Sequence, residues 1–336
     1  MRQLPKVRAL PVILATLLWC AAILTALRLL PFPGAALAGA ASASPARGVL
    51  AGESAHTFTH DGAAVDVEVS ADELTGGVEP ILVWVRRSMD IVTGYYGRFP
   101  ASSLRVQVVV HRGDGVLTGK TWGYRGGFIR VEVGREVTAT QLLNDWVLVH
   151  EMTHLALPDL DEEHAWLSEG LAVYVEGIAR EQAGNRSEQD VFAEQLRAMP
   201  RGLPEPGDRG LDHTHTWART YWGGAMFCFM ADVGIHQQTG NRFGLQDAVR
   251  AILRDSGGLA TDWPIAKVLA DGDAATGTHV LEELYSRWKD TPTSPDLTAL
   301  WTSLGVERDG ESVRLHDDAP LAAVRRSIMQ SRANRT

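Results

Sequence analysis

Cysteine is scarce in this sequence. The chain of 336 residues contains two cysteines, Cys20 and Cys228. Because Cys20 lies in an apolar N-terminal stretch with the features of a leader, only Cys228 would remain in a mature chain, and no internal disulfide could form. An exported protein of this kind would depend on its hydrophobic core, on a bound metal, or on both.

Basic residues are in the minority, since 32 Lys and Arg stand against 41 Asp and Glu and the formal net charge is −9. We therefore expect no nucleic-acid partner, because no basic surface is available for a phosphate backbone. Neither a G-x-G-x-x-G pattern nor a P-loop follows a predicted strand, so a nucleotide cofactor has no support. The sequence does not indicate an oligomeric state.

The N-terminal segment has the layout of an export signal. Basic residues precede a charge-free stretch from Ala9 to Leu27, and small residues in A-x-A spacing follow at 36–43. We expect residues 1–46 to be a signal peptide or, because the apolar stretch approaches the length of a membrane span, an N-terminal membrane anchor. Both alternatives place the remainder outside the cytoplasm, extracellular or at the cell surface.

The remaining chain shows strand patterns first and helical patterns afterwards. Alternating apolar residues and turn signals predict four strands, at Thr57–His60, Ala64–Ser70, Leu104–His111 and Gly126–Val133. Helical spacing predicts helices at Val78–Tyr96, from Thr138 or Thr140 to Leu157, and at Ala165–Arg180, Glu188–Met199, Trp217–Ile235, Leu245–Leu253, Val280–Trp288 and Leu297–Leu304. This order indicates an α+β fold. We divide it into a junction with the first strands (47–75), a main domain (76–290) and a C-terminal helical tail (291–336).

One motif in the second predicted helix carries chemistry. His150-Glu151-Met152-Thr153-His154 is an H-E-x-x-H pattern. Residues four apart lie on the same helix face, so both imidazoles can bind one zinc ion. Glu151 is offset by one position and is suited to act as general base toward a water molecule that the zinc activates.

A catalytic zinc site usually has three protein ligands, so a third must come from elsewhere. The best candidate is Glu169, in Trp166-Leu167-Ser168-Glu169-Gly170, because two histidines and one glutamate form a known ligand set. Rival candidates are Asp161, Glu162, Glu163, His164 and Glu176.

The segment from about Tyr95 to Asp232 resembles the gluzincin (peptidase MA-like) zinc metallopeptidases, in particular the catalytic domain of aminopeptidase-N-like and glycyl-aminopeptidase-like enzymes. The resemblance is carried by the stretches at 96–100 and 127–133, by H-E-x-x-H, by W-L-x-E-G and by Tyr221-Trp222-Gly223-Gly224-Ala225. It implies a thermolysin-like (zincin) domain with a small N-terminal β-sheet lobe and a mainly helical lobe. It also implies that Gly127–Val133 is the edge strand of the substrate cleft.

The resemblance further implies a role for Tyr221, since the tyrosine of the family's Y-x-K-G-A block donates a hydrogen bond to the oxyanion. Two features depart from the family. Gly223 replaces the lysine of that block, and the Gly-x-Met-Glu-Asn exopeptidase signature is missing before the zinc helix. Aminopeptidase specificity is therefore not implied.

For three further polar residues the sequence indicates no single role. His213 and His215 precede the helix that carries Tyr221 and could line the cleft, or could be exposed loop histidines. Asp145 lies one turn before His150 and could orient a metal ligand, or could be a solvated charge.

The sequence thus predicts an exported zinc metallohydrolase, a peptidase acting on a peptide or protein substrate. Two alternatives remain open. One is an exported binding or assembly protein with a structural zinc site, for which His164 is the nearest candidate as fourth ligand. The other is a zinc hydrolase of a non-peptide amide or ester, because the motif specifies water activation and not the acyl group.

Overall fold

A mixed five-stranded sheet forms the N-terminal lobe. A computed structural model of the protein describes residues 54–70, 73–123 and 126–331, so the predicted leader at 1–46 lies outside the described residues. The strands are β1 (Ser54–His60), β2 (Ala63–Val69), β3 (Ser103–His111), β4 (Val116–Trp122) and β5 (Gly127–Gly134). Their order is β1-β2-β3-β5-β4, with β2, β3 and β5 parallel and β1 and β4 antiparallel to their neighbours.

The strand at the edge of the cleft differs from the sequence prediction. Gly127–Val133 lies in β5, which pairs with β3 on one side and β4 on the other and is therefore internal. The edge strand is β4, a segment for which we predicted no strand. Its central residues Gly119 and Lys120 have low strand propensity, so pairing with β5 and not local sequence determines its conformation.

The helices make up the rest of the chain, and the fold is α+β as predicted. One helix, α1 (Glu79–Tyr96), comes between β2 and β3 and packs into the core through residues such as Val85, Met89 and Val92. The later helices are α2 (Ala139–Asn144), α3 (Val147–His154), α4 (Ala165–Gln182), α5 (Glu188–Ala198), α6 (Gly224–Thr239), α7 (Leu245–Ser256), α8 (Ile265–Thr276), α9 (Val280–Trp288), α10 (Leu297–Leu304) and α11 (Ala322–Met329).

The single helix predicted from Thr138 or Thr140 to Leu157 is wrong, because it is divided into α2 and α3. Thr138 caps α2 in a capping box with Gln141. At the division Asp145 has extended backbone (φ −71°, ψ 149°), and its Oδ1 accepts a hydrogen bond of 2.8 Å from the backbone N–H of Val147. An aspartate that satisfies a free N–H at a helix start favours this break.

Helices α4 and α6 are in direct backbone contact. A Cβ atom at Gly170 of α4 would lie 2.1 Å from the carbonyl carbon of Gly224 at the start of α6, and one at Gly224 would lie 1.9 Å from the carbonyl oxygen of Trp166. Glycine at both positions therefore allows an approach that any side chain would block. The segment before α6, Arg219–Gly223, forms a π-helical turn.

The C-terminal region contains a hairpin that the sequence did not predict, with strands β6 (Val306–Asp309) and β7 (Ser312–Leu315). The guanidinium of the buried Arg325 in α11 donates to the carbonyl oxygens of Leu304 and His316, which fixes the hairpin to the last helix. None of the helices within the described ranges is both long and apolar enough to span a bilayer.

Candidate metal centre

Three predicted ligands converge in the structure. Helix α3 places His150 and His154 one turn apart, and α4 supplies Glu169. Glu169 Oε2 lies 3.3 Å from His150 Nε2 and 3.5 Å from His154 Nε2. One ligand atom from each of the three residues lies within 4.8 Å of the other two, so they form a group that could hold one metal ion.

The separations of these atoms fit zinc. A tetrahedral zinc with ligand bonds of about 2.0–2.1 Å places neighbouring ligand atoms about 3.4 Å apart. The two separations from Glu169 Oε2, 3.3 and 3.5 Å, match this edge length. Two imidazoles and one carboxylate are also a donor set that zinc accepts, with a fourth position left open.

The charges around the group favour a cation. Burial raises the pKa of Glu169, but the imidazoles of His150 and His154 reverse this effect and hold the pKa well below its usual range. Burial opposes protonation of His154, yet the carboxylates of Glu169 and Glu151 raise the pKa of its imidazole. A carboxylate at Glu169 with a lowered pKa, beside the two imidazoles, makes a site that attracts positive charge.

Two rival ligands have other partners. The Nε2 atom of His164 lies 3.2 Å from the hydroxyl of Tyr285 and 3.7 Å from Asp212, in a separate buried network. Glu176 is buried and accepts a hydrogen bond from Arg180 at 3.3 Å. The other rivals, Asp161, Glu162 and Glu163, are exposed. Within the described residues, the group around His150 contains none of these five.

Glu151 lies between the ligand helix and the edge strand. Its Oε2 atom accepts a hydrogen bond of 2.6 Å from the hydroxyl of Thr121 in β4, and its carbonyl oxygen lies 2.9 Å from the same hydroxyl. The strand can approach this closely because residue 119 is glycine, where a Cβ atom would lie 2.5 Å from Glu151 Cγ. The carboxylate is buried and held in one orientation beside the ligands.

Tyr221 reaches the same cleft from the π-helical turn. Its ring is nearly parallel to that of His150, with an interplanar angle of 10° and centroids 6.4 Å apart. Arg219 anchors the turn, since it donates a 2.7 Å hydrogen bond to the carbonyl oxygen of Gly202 and forms a buried ion pair with Asp208. Such π-helical turns occur frequently at functional sites.

These residues surround a cleft of about 470 Å³. Its walls come from β4, α3, the loop between α3 and α4, the start of α4, the π-helical turn and the loop between α7 and α8. The lining residues are Gly119, Lys120, Thr121, His150, Glu151, His154, Pro158, Asp159, Leu160, Ala165, Ser168, Glu169, Tyr221 and Leu259.

Two residues at the site escaped the sequence analysis. Ser168 Oγ lies 3.0 Å from His154 Nδ1, where it can fix the ring so that Nε2 points toward Glu169. Thr121 holds Glu151. The position of Ser168 next to Glu169 could have identified it, whereas Thr121 lies on a strand that no local pattern indicated.

Three residues whose roles the sequence left open lie outside the group of candidate ligands, namely Asp145, His213 and His215. Asp145 caps α3 and does not orient a histidine; burial raises its pKa to about 6, and hydrogen bonds from backbone N–H groups oppose this rise. His213 Nε2 lies 2.8 Å from Asp290 Oδ1 on the surface. Among the described residues that line the cleft, neither His213 nor His215 is present.

One solved structure supports this fold and a second is a weaker likeness. An aminopeptidase N family protein from Idiomarina loihiensis has a TM-score of 0.58 and 14% sequence identity to the chain, over 76% of this chain and 49% of that one. The M1 zinc metallopeptidase from Deinococcus radiodurans is a weaker likeness, with a TM-score of 0.48 and 16% identity over 73% of this chain and 53% of that one. No model of a protein family and no curated protein matches the sequence.

The first likeness confirms the predicted gluzincin-like α+β fold. The match spans about half of that structure's length, 49%. At 14% identity it establishes the fold alone.

The contact at Gly119 generates the first prediction. In Gly119→Ala the added methyl group has no room beside Glu151, so we expect about a hundredfold loss of the hydrolytic activity that the sequence predicts, from displacement of this carboxylate. The metal content should stay at the parent level, because the three ligands lie on α3 and α4. Activity and metal content, the latter by mass spectrometry, are compared with the parent.

Gly76→Ala is the matched control, since the nearest heavy atom to its new methyl group is 3.8 Å away. It should retain parent activity. Full activity in Gly119→Ala would contradict the assigned packing of Glu151.

Proposed function

We propose that this chain is an exported zinc-dependent metallohydrolase, and specifically a peptidase that cleaves amide bonds in a peptide or protein substrate. The observation that carries the proposal is the convergence of His150, His154 and Glu169 beside the buried Glu151. A purely metal-storing or structural site has no need of that carboxylate.

The three ligands would hold zinc, which when bound polarises the substrate carbonyl and lowers the pKa of a water molecule. Glu151 accepts a proton from the attacking water and delivers it to the leaving nitrogen as the C–N bond breaks. Thr121 keeps the carboxylate of Glu151 oriented during this transfer. The hydroxyl of Tyr221, which also lines the cleft, donates a hydrogen bond to the oxygen of the attacked carbonyl as negative charge develops there.

The edge strand supports a peptide as substrate. In the described part of the chain β4 pairs with one strand, β5, and its Gly119, Lys120 and Thr121 line the cleft. An extended peptide can hydrogen-bond to the free edge of such a strand, which holds a backbone amide beside the metal group. This arrangement favours a peptide over a non-peptide amide or ester.

The alternative of a structural zinc site has less support. A structural site is usually closed by four protein ligands. His164, the candidate for the fourth, is bound in the network of Tyr285 and Asp212, and the group contains three ligands within the described residues.

The central test replaces the general base. Glu151→Gln preserves the size of the side chain but cannot accept the proton, so we expect hydrolysis of a peptide library to fall by at least about a thousandfold. One zinc per chain should be retained, because residue 151 is not a ligand. Full activity of this variant would refute the mechanism. Zinc in both proteins without cleavage by either would favour the binding-protein or non-peptide alternative.

Tyr221→Phe tests the second catalytic residue. Loss of the hydroxyl removes one hydrogen bond to the developing oxyanion, so kcat should decrease by about 100- to 1000-fold while KM and zinc content change little. Steady-state kinetics on a peptide that the parent cleaves provides the measurement. An unchanged kcat would assign Tyr221 to packing alone.

We further propose that residues 1–46 direct the chain out of the cytoplasm, either as a cleaved signal or as an anchor, on the basis of the apolar stretch at Ala9–Leu27. Expression of the full chain followed by cell fractionation should recover it outside the cytoplasm. The mass of the N-terminal peptide distinguishes cleavage from anchoring, and a purely cytoplasmic product would contradict export.

A further inference from the structure

A second depression adjoins the metal centre. It has a volume of about 280 Å³, and we call it the tryptophan pocket because Trp146, Trp217 and Trp222 line it. Val173, Gly177 and Val191, from α4 and α5, contribute apolar surface. Its volume is just below the roughly 300 Å³ at which pockets for whole drug-sized ligands begin, so it suits one large side chain.

Aromatic rings connect this pocket with the metal centre. Tyr221 lines both the pocket and the cleft. Its ring stacks on Trp217 at 5.6 Å on one side and faces His150 on the other. Trp146 packs edge-to-face against His150 at 5.4 Å. A group in the pocket would therefore lie next to the atoms that react.

Two of the three tryptophans of the pocket, Trp146 and Trp217, are exposed although they are large and apolar. Trp146 is 48% and Trp217 58% accessible, and they belong to a set of only five large hydrophobic side chains that are exposed among the described residues. Exposed aromatic side chains beside a cleft mark a binding surface, because water contact with such rings is unfavourable until a partner covers them.

The acidic residues that line the pocket are paired with arginines. Glu176 accepts a hydrogen bond from Arg180, which lies outside the pocket, and Glu194 forms an ion pair of 2.6 Å with Arg186. The remaining polar lining residues, Gln195 and Arg201, carry no negative charge. The pocket therefore offers no unpaired carboxylate to a lysine, and its apolar walls favour an apolar occupant.

We propose that the tryptophan pocket binds a large aromatic side chain of the substrate, next to the bond that is cleaved. Trp146 and Trp217 determine this specificity. The inference rests on the proposed peptidase function. The aromatic side chain would stack between the exposed rings and exclude water from them, while the adjoining carbonyl enters the cleft beside Glu151. Substrates with alanine at that position would leave the pocket hydrated.

Binding is measured by calorimetry on the zinc-loaded full chain carrying Glu151→Gln, so that the preference is detected without cleavage. Peptides that differ by Phe or Ala are scanned along an otherwise constant sequence. At one position the Phe peptide should bind about ten- to a hundredfold more tightly. Adding Trp217→Ala should reduce that ratio by about three- to tenfold, and Trp217→Phe should restore most of it.

Val83→Ala is the matched control, because Val83 is another exposed large hydrophobic side chain, lies on α1 and lines neither the pocket nor the cleft. It should leave the Phe-to-Ala ratio unchanged. Equal affinity of Phe and Ala peptides at every position, or an unchanged ratio in Trp217→Ala, would overturn the inference. Failure of the peptidase function is a separate result, in which the parent with Glu151 intact cleaves no peptide.

Discussion

The site depends on close backbone contact between α4 and the start of α6. Gly170 and Gly224 have no Cβ, so the helices approach until their backbones touch. Glu169 immediately precedes Gly170, and Tyr221 lies three residues before Gly224. The contact therefore places Glu169 and Tyr221, the proposed third ligand and the proposed oxyanion donor, in one cleft. A side chain at either glycine would force the helices apart and separate these two groups.

A second close contact positions Glu151, the proposed general base. Gly119 in the edge strand allows β4 to lie against α3, and Thr121 then hydrogen-bonds to Glu151. Glu151 and Tyr221 are thus held by regular secondary structure or by a turn anchored to it, which fixes their geometry. Under the proposed function β4 combines two tasks, because the strand that orients Glu151 also presents its free edge to the cleft.

Much of this site could be predicted from sequence because its chemistry is local. Two histidines one turn apart require only that the segment be helical, and a glutamate followed by glycine in an apolar helix predicted Glu169, which the structure brings beside both histidines. The contribution of Thr121 could not be predicted, because β4 is a strand only through pairing with β5. The break at Asp145 was missed for a different reason, since apolar spacing continues across it. The tryptophan pocket combines α4, α5, the π-helical turn and Trp146, which precedes α3, and no periodicity in the sequence relates these segments to one another.

The central claim is that one zinc ion lies between His150, His154 and Glu169, with a position open to water. Anomalous diffraction at the zinc absorption edge from crystals of the zinc-loaded protein tests it most directly. We expect one strong peak about 2.0–2.1 Å from both Nε2 atoms and from Glu169 Oε2, with no fourth protein ligand. A second group among the described residues, formed by Asp273, His279 and Glu282, could also hold a metal ion. A peak at that group instead, or a fourth protein ligand at the His150 group, would contradict the claim.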